Sequence, residues 1–406
     1  VKQPLLIVGD PFFLARHRPL IDALRKRLGA EAVDELPIQD AAVVAKASYF
    51  ARALLLGRLW PPTRATVRER LQRFSKEPKT FARKSRLAAR RIAQHRPAPG
   101  LVLQLFSMSS PVTETSSLPY AYYLDMTMAL VRRQWPPWAA FDSETRYEEW
   151  IALEGASYRG AERVFTFSEA ARRSVIDDYG AQAERVVAVG AAGHYQAART
   201  GERNYGNRSI IFNGSEFERK GGDRVIAAFR LVRERYPDAT LTVVAYAGLA
   251  PEPGLRPLGN VARADLIELF DTTDVVLAPT RLDALPGFVL EAMSRGVVPV
   301  LSDSPPMAEI VVHGSEGYVV SPPSPERLAA FVCDLFADGA LLRAFGNAAR
   351  ARVLRDWNWD AVADAMVASL NDAMGASLND AMGASLTDAM GASPREGAPP
   401  DAANPR

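Results

Sequence analysis

The stretch DVVLAPTRLDALPGFVLEAMSRG, residues 274–296, decides the fold. DVVLAPT is an apolar run of strand length, and FVLEAMSRG has helical spacing with a glycine stop. Pro286-Gly287 lies between them, a pair that suits a turn and breaks either element. The unit is therefore strand, loop, helix. Its loop sits at the carboxyl end of a strand, and the first free N–H groups of the helix point to where an anion would bind. Gly287 lets a ligand come close to the backbone. Two acids frame the turn, Asp283 before it and Glu291 one helical turn inside. Carboxylates beside a phosphate site are unfavourable unless they accept hydrogen bonds from hydroxyls, as those of a ribose or a hexose. The plainer reading makes Asp283 a turn former and Glu291 a charge near a helix N-terminus.

The same alternation extends in both directions. SIIFNG, ATLTVVAY and VVPVLSD read as strands; DRVIAAFRLVRERY, ADLIELF and PERLAAFVCDLFADG read as helices. Upstream, PLLIVGD (4–10), LVLQLF (101–106), YAYYLD (120–125), RVFTF (163–167) and RVVAVG (185–190) are strand-like. RPLIDALRKRLG, residues 41–60, most of 64–95 and EAARRSVIDDY are helix-like, with a break at Pro78. Regular alternation implies parallel sheets covered on both faces. The pattern restarts after a polar, Gly-containing stretch at 191–207. Two doubly wound α/β domains facing a cleft are therefore expected, at residues 1–195 and 205–355.

Composition agrees. The chain has 406 residues, 48% apolar and 24% charged, enough for more than one core. Its single cysteine, Cys333, excludes an internal disulfide framework and an all-cysteine metal site, which suits a reducing, cytoplasmic setting. No apolar run approaches the ~20 residues that span a bilayer, and VKQPLLIVGDPFF reads as a buried first strand rather than a signal peptide. Residues 375–406, with the ASLNDAMG-type repeat at 368–391 before and within them, are low in complexity and expected to be disordered. The net charge of +2 conceals a segment, Arg64–Arg96, with 12 basic and 2 acidic residues. Such a segment suits anionic lipid heads on an inner membrane face, or else a solvated helix face. It contains Phe74 and Phe81 but no recognised nucleic-acid motif, and no nucleic-acid partner is expected.

A second loop carries chemistry. FNGSEFERKGGDRVIAAF (212–229) is again strand, loop, helix, with Arg219 and Lys220 just before Gly221-Gly222. Two cations on flexible backbone at a helix start can clamp a diphosphate. The order is neither a P-loop nor a GxGxxG fingerprint, and a charged surface turn is the plainer alternative.

Together these segments carry a resemblance. ERKGGDRVIAAFRLVRERYPDATLTVV, PLGNVARADLIELFDTTDVVLAPTRLDALPGFVLEAMSRGVVPVLSD and GSEGYVVSPPSPERLAAFV, over roughly 208–365, resemble the C-terminal domain of the GT-B fold, retaining glycosyltransferases of family four. ERVFTFSEAARRSVIDDYG (162–180) resembles the end of that family's N-terminal domain, whereas residues 1–130 match in general pattern alone. The resemblance implies that Arg219 and Lys220 hold phosphates and stabilise the leaving group, Glu291 holds the ribose, and Asp283 contacts the transferred sugar. Asp283 stands where the family usually has Glu. Pro286, Gly287, Phe288, Val289 and Leu290 would flank the donor, with Gly214 nearby, and Gly259, Asn260 and Val261 would border the base. WNWDAVADAM would open a closing helix (356–374) that crosses back to the first domain. GAAGHYQ (190–196) departs from the Asn-Gly-Val-like turn of many relatives.

The acceptor should lie on the first domain, near Gly9, Asp10, His17, Asp125 and Thr127, with Asp125 orienting a hydroxyl. Turn or capping roles are the alternative for Asp125. His17, His95, His194 and His313 have no metal-ligand spacing, and no Asp-x-Asp motif occurs, so no metal or other cofactor is expected. The expected function is retaining transfer of a sugar from a nucleotide-sugar to a glycan or lipid-linked acceptor, without an assigned protein nucleophile. A nucleotide-sugar epimerase, or a non-catalytic nucleotide-sugar-binding or membrane-docking protein, are the alternatives.

Overall fold

The computed structural model describes residues 4–39, 75–112, 116, 118–193, 203–284 and 286–374. The helix expected at 41–60, the first part of the basic segment, His194, most of the interdomain stretch and the 375–406 tail lie outside the described residues. Helices are named below by their ranges.

The first domain is a sheet of six parallel strands: β1 (Leu5–Gly9), β2 (Val33–Pro37), β3 (Leu101–Leu105), β4 (Tyr120–Leu124), β5 (Arg163–Thr166) and β6 (Val186–Ala188). Their order is β2-β1-β3-β4-β5-β6. β1, β3 and β4 are buried at every position, and apart from Gln104 in β3 they are the near-continuous apolar runs expected between two layers of helices. β2 escaped the sequence reading because it lies at the edge. Its sequence VDELP carries two acids and a terminal proline, which suit a half-exposed edge strand.

The second domain repeats the plan with β7 (Ser209–Asn213), β8 (Thr240–Val244), β9 (Leu255–Gly259), β10 (Val275–Ala278), β11 (Val298–Ser302) and β12 (Tyr318–Val320). Their order is β12-β11-β10-β7-β8-β9, all parallel. The two strands missed in the sequence, β9 and β12, are again the edges; β9 even contains Pro257. In both sheets the chain reverses its winding beside the first strand, between β1 and β3 and between β7 and β10. Side chains beyond the carboxyl ends of those strands meet in one crevice.

The helix Trp359–Met374 lies far from the first domain in sequence but completes its core. Trp359, Val362, Ala363, Met366 and Leu370 are buried among Leu20, Leu24, Phe165 and Phe167. Arg27 ties the pairing by hydrogen bonds to Asp360 and Asp364, and Trp359 Nε1 donates to the Gly193 carbonyl at 3.2 Å. No described helix is long and apolar enough to cross a membrane.

Met366 is fully buried in this seam. Met366→Ala should destabilise the first domain by about 2–4 kcal/mol, although the residue follows the second domain in the chain. Urea unfolding monitored by a first-domain probe would check this; an unchanged midpoint would show that the seam is not cooperative with that domain.

Candidate active site

Two loops of the second domain are laced together. The turn after β7 brings Glu216, Arg219 and Lys220 to the start of helix Gly222–Arg235. Gly221, the residue before that helix, has φ +75, and a Cβ there would stand 2.3 Å from the Pro279 carbonyl oxygen. Only glycine meets both conditions. The loop after β10 answers with three contacts: Arg281 N–H donates to the Arg219 carbonyl at 2.8 Å, Thr280 Oγ1 to the same carbonyl at 3.3 Å, and the Arg219 guanidinium to the Leu282 carbonyl. Arg281 also pairs with Asp223 at 2.9 Å.

The lacing aims charged groups into a cleft cavity of about 460 Å³ between the sheets. Arg219, Lys220, Arg263, Asp283, Gly287 and Glu291 line it from the second domain; Phe13, Arg16, His17, Phe106, Asp125 and Trp138 face them. Acids and bases alternate. Lys220 Nζ is 3.6 Å from Asp283, Arg263 is 2.7 Å from Glu291, and Arg219 Nε is 3.1 Å from Glu216. The Arg219 guanidinium also stacks over Trp138 of the opposite domain at 4.4 Å. Asp125, just past the end of β4, accepts from the Met126 N–H at 2.7 Å. Burial raises its carboxyl to about 6; Arg16 opposes that shift and Asp283 adds to it. Carboxylates from the two domains thus sense each other across the cleft.

The helix Gly287–Ser294 starts at the cavity wall, with Pro286 as its N-cap and open space at the Gly287 Cα. Val289 and Leu290 turn their side chains into the core and give their N–H groups to the Pro286 carbonyl. The anion-facing donors are therefore the first N–H groups, those of Gly287 and Phe288.

Several expected site residues stand elsewhere. Asp10 is exposed and caps helix Pro11–Arg16 through the Phe12 N–H. Thr127 lines a side space off the cleft, where it caps helix Met128–Gln134 and shares its hydroxyl with Ser174 at 2.6 Å. Gly9 is buried in β1, where a Cβ would press on Leu105 at 3.3 Å. Gly214 is required by packing, since a Cβ would lie 2.6 Å from that of Tyr246. Gly259 ends β9, Asn260 and Val261 follow it, and none of the three lines the cavity; the loop they begin delivers Arg263. His17 is buried among Phe106, Tyr123, Phe167 and Trp359, its ring edge at the cavity and its Nδ1 2.9 Å from the Phe13 carbonyl. His95 pairs with Asp34, and His313 accepts from the Val319 N–H.

Arg16, Trp138 and Arg263 were not singled out in the sequence. Arg16 follows β1 as His17 does, so its position was readable. Trp138 and Arg263 lie in segments without a strand-loop-helix signature.

Two Rossmann-like domains with a charged cleft and a crossing terminal helix define the GT-B glycosyltransferase fold. Residues 197–352 match the family model described as Glycosyl transferases group 1, and the second domain is a domain of that family. Over 174 residues the chain is 26% identical to a glycogen synthase of Mycobacterium tuberculosis, covering 39% of this chain and 41% of the relative. Over 173 residues it is 27% identical to a GDP-mannose-dependent monoacylated alpha-(1-6)-phosphatidylinositol monomannoside mannosyltransferase of Corynebacterium glutamicum, covering 39% and 45%. The matches thus span less than half the length of these curated relatives. Among solved structures, sucrose-phosphate synthase from Thermosynechococcus elongatus superposes with a TM-score of 0.65 at 15% identity, over 92% of this chain and 100% of that one. HepE of Anabaena, in complex with UDP and glucose, gives 0.59 at 16%, over 91% and 99%.

Because the native state holds the Asp125 proton more tightly than the unfolded chain does, stability should fall as pH rises from about 4 to about 6. Asp125→Asn removes that slope. The variant should exceed the wild type by on the order of 3 kcal/mol at pH 7.5, with the gap closing near pH 4. Denaturation at the two pH values checks this, and a gap independent of pH would contradict it.

Proposed function

We propose that this protein transfers a sugar from a nucleoside diphosphate sugar to a hydroxyl of a glycan or lipid-linked acceptor, with retention of configuration. The observation that carries this reading is the set of cation–carboxylate pairs in the cleft, beside the helix start at Gly287. A diphosphate is the ligand that can replace the carboxylates on Lys220, Arg219 and Arg263. Each carboxylate so released is left with hydroxyls to accept from. Glu291, on the helix, would take the ribose, and Asp283, on the loop, would take the sugar ring.

The bond that breaks joins the anomeric carbon to the diphosphate oxygen, which leaves with the electron pair. The cations and the helix N-terminus stabilise that growing charge. The acceptor hydroxyl supplies the electron pair of the new bond from the same face, and its proton passes to the departing phosphate oxygen. Asp125, on the opposite wall, orients that hydroxyl. No protein nucleophile and no metal enter the proposal. The similarity to a glycogen synthase and a mannosyltransferase supports the reaction class. The exposed cations of helix Pro78–Gln94, Lys79, Arg86 and Arg90, leave a peripheral contact with an anionic membrane face as part of the proposal.

Titration with UDP-, GDP-, ADP- and TDP-sugars, with release of nucleoside diphosphate followed in parallel, tests this. One donor should bind, and both Lys220→Ala and Glu291→Ala should weaken it by about 10- to 100-fold. Failure of every nucleotide to bind at millimolar concentration would sink the proposal.

A further inference from the structure

A side cavity of about 170 Å³ opens off the cleft on the first-domain side, past Phe13, Phe106, Asp125 and Trp138, which line both spaces. Its walls are mainly apolar and aromatic. Most of its polar groups are already committed. Glu154 accepts from Ser107 at 2.7 Å, Tyr158 at 2.9 Å, Tyr179 at 2.5 Å and the Met128 N–H at 3.3 Å. Those donors include the Ser107 hydroxyl, and Thr127 is spent on its helix cap and Ser174.

Lys76 is the exception. It lines the cavity, is half-buried, and has no carboxylate among the described residues within ion-pair distance. Burial alone pushes its ammonium down to about 8, so it still carries charge at neutral pH. It stands two residues before helix Pro78–Gln94, which is anchored by Phe81, buried edge-on against Trp150 at 5.2 Å. The cation is thus presented from a fixed support. A desolvated charge without a counter-ion is unfavourable, and an anionic ligand group relieves it.

We infer that this side cavity is the acceptor subsite and that the acceptor carries an anionic group, a phosphate ester or carboxylate, which pairs with Lys76. The acceptor then spans from Lys76 to Asp125, with an apolar face against Phe106 and Trp138 and its reacting hydroxyl at the mouth of the main cleft. This rests on the transferase reading above and adds the acceptor's chemical class. The anion can belong to a soluble sugar phosphate or uronic acid, or to a phospholipid headgroup.

The test follows donor turnover with the full chain and its preferred nucleotide-sugar. One arm compares hexose 6-phosphates and hexuronic acids with the corresponding neutral hexoses. The other compares phosphatidylcholine vesicles with and without phosphatidylinositol. Anionic acceptors in one arm should be glycosylated and neutral counterparts poorly, and the responding arm identifies the source. Lys76→Met should raise the acceptor KM at least about tenfold, Lys76→Arg should restore much of it, and the Kd of the nucleoside diphosphate should not move. Circular dichroism of both variants guards against misfolding. Equal use of neutral acceptors, no glycosylation of any anionic probe, or an unchanged acceptor KM in Lys76→Met would each overturn the inference. Absence of nucleotide binding would instead overturn the transferase reading itself.

Discussion

The close approach of Gly221 to the Pro279 carbonyl is the constraint on which the site depends. It clamps the turn after β7 against the loop after β10, so neither loop is free to choose its own conformation. Arg219 then works with both faces. Its carbonyl accepts from Arg281 and Thr280, and its guanidinium reaches the Leu282 carbonyl, Glu216 and the Trp138 ring. A side chain with so many partners has little rotamer freedom left. The backbone that carries the cleft's charges is therefore set before any ligand arrives, and a ligand has only to exchange the ion-pair partners of Lys220, Arg219 and Arg263.

The same loop also joins the domains. Leu282 is fully buried in a cluster otherwise built from the first domain, with Phe81, Met126, Leu130 and Trp150. A second interdomain contact comes from Glu309 of the second domain, which caps the first-domain helix Glu169–Asp177 by accepting from the Glu169 and Ala170 N–H groups at 2.7 and 2.9 Å. A carboxylate at a helix N-terminus is a favourable pairing. One contact is apolar and the other a charge-assisted hydrogen bond, and both hold the two domains together. Asp283, the residue after Leu282, thereby has its position relative to Asp125 fixed from both domains.

The central architecture was legible in the sequence because its strands are unbroken apolar runs. LLIVG, YAYYL and VVLA have no polar residue to disguise them, and their helices carry clear stops. The edge strands were not legible: VDELP and LRPLG are half exposed and contain proline, so their sequences look like loops. In the candidate site, the acids and cations beside Gly221 and Gly287 stood out because glycine and charge coincide there. Thr127 and Asp10 both serve as N-caps, a role that asks for the same residue types at the same end of a strand as a ligand contact does. Lys76, Trp138 and Arg263 were hidden for a different reason. Their roles arise from contacts between segments distant in the chain, Arg263 with Glu291, Trp138 with Arg219 across the domains, and Lys76 with the cavity beside Phe106, and no local pattern encodes those.

The terminal helix has a consequence for biosynthesis. Its Trp359, Val362 and Met366 belong to the core built on β1, β3 and β5, yet they leave the ribosome after the entire second domain. Until then the first domain carries an open apolar groove over Leu20 and Leu24. The second domain has its own sheet and cores, formed from residues that are contiguous in the chain. Order of synthesis and order of completion are thus opposite: the half that emerges first is the half that finishes last.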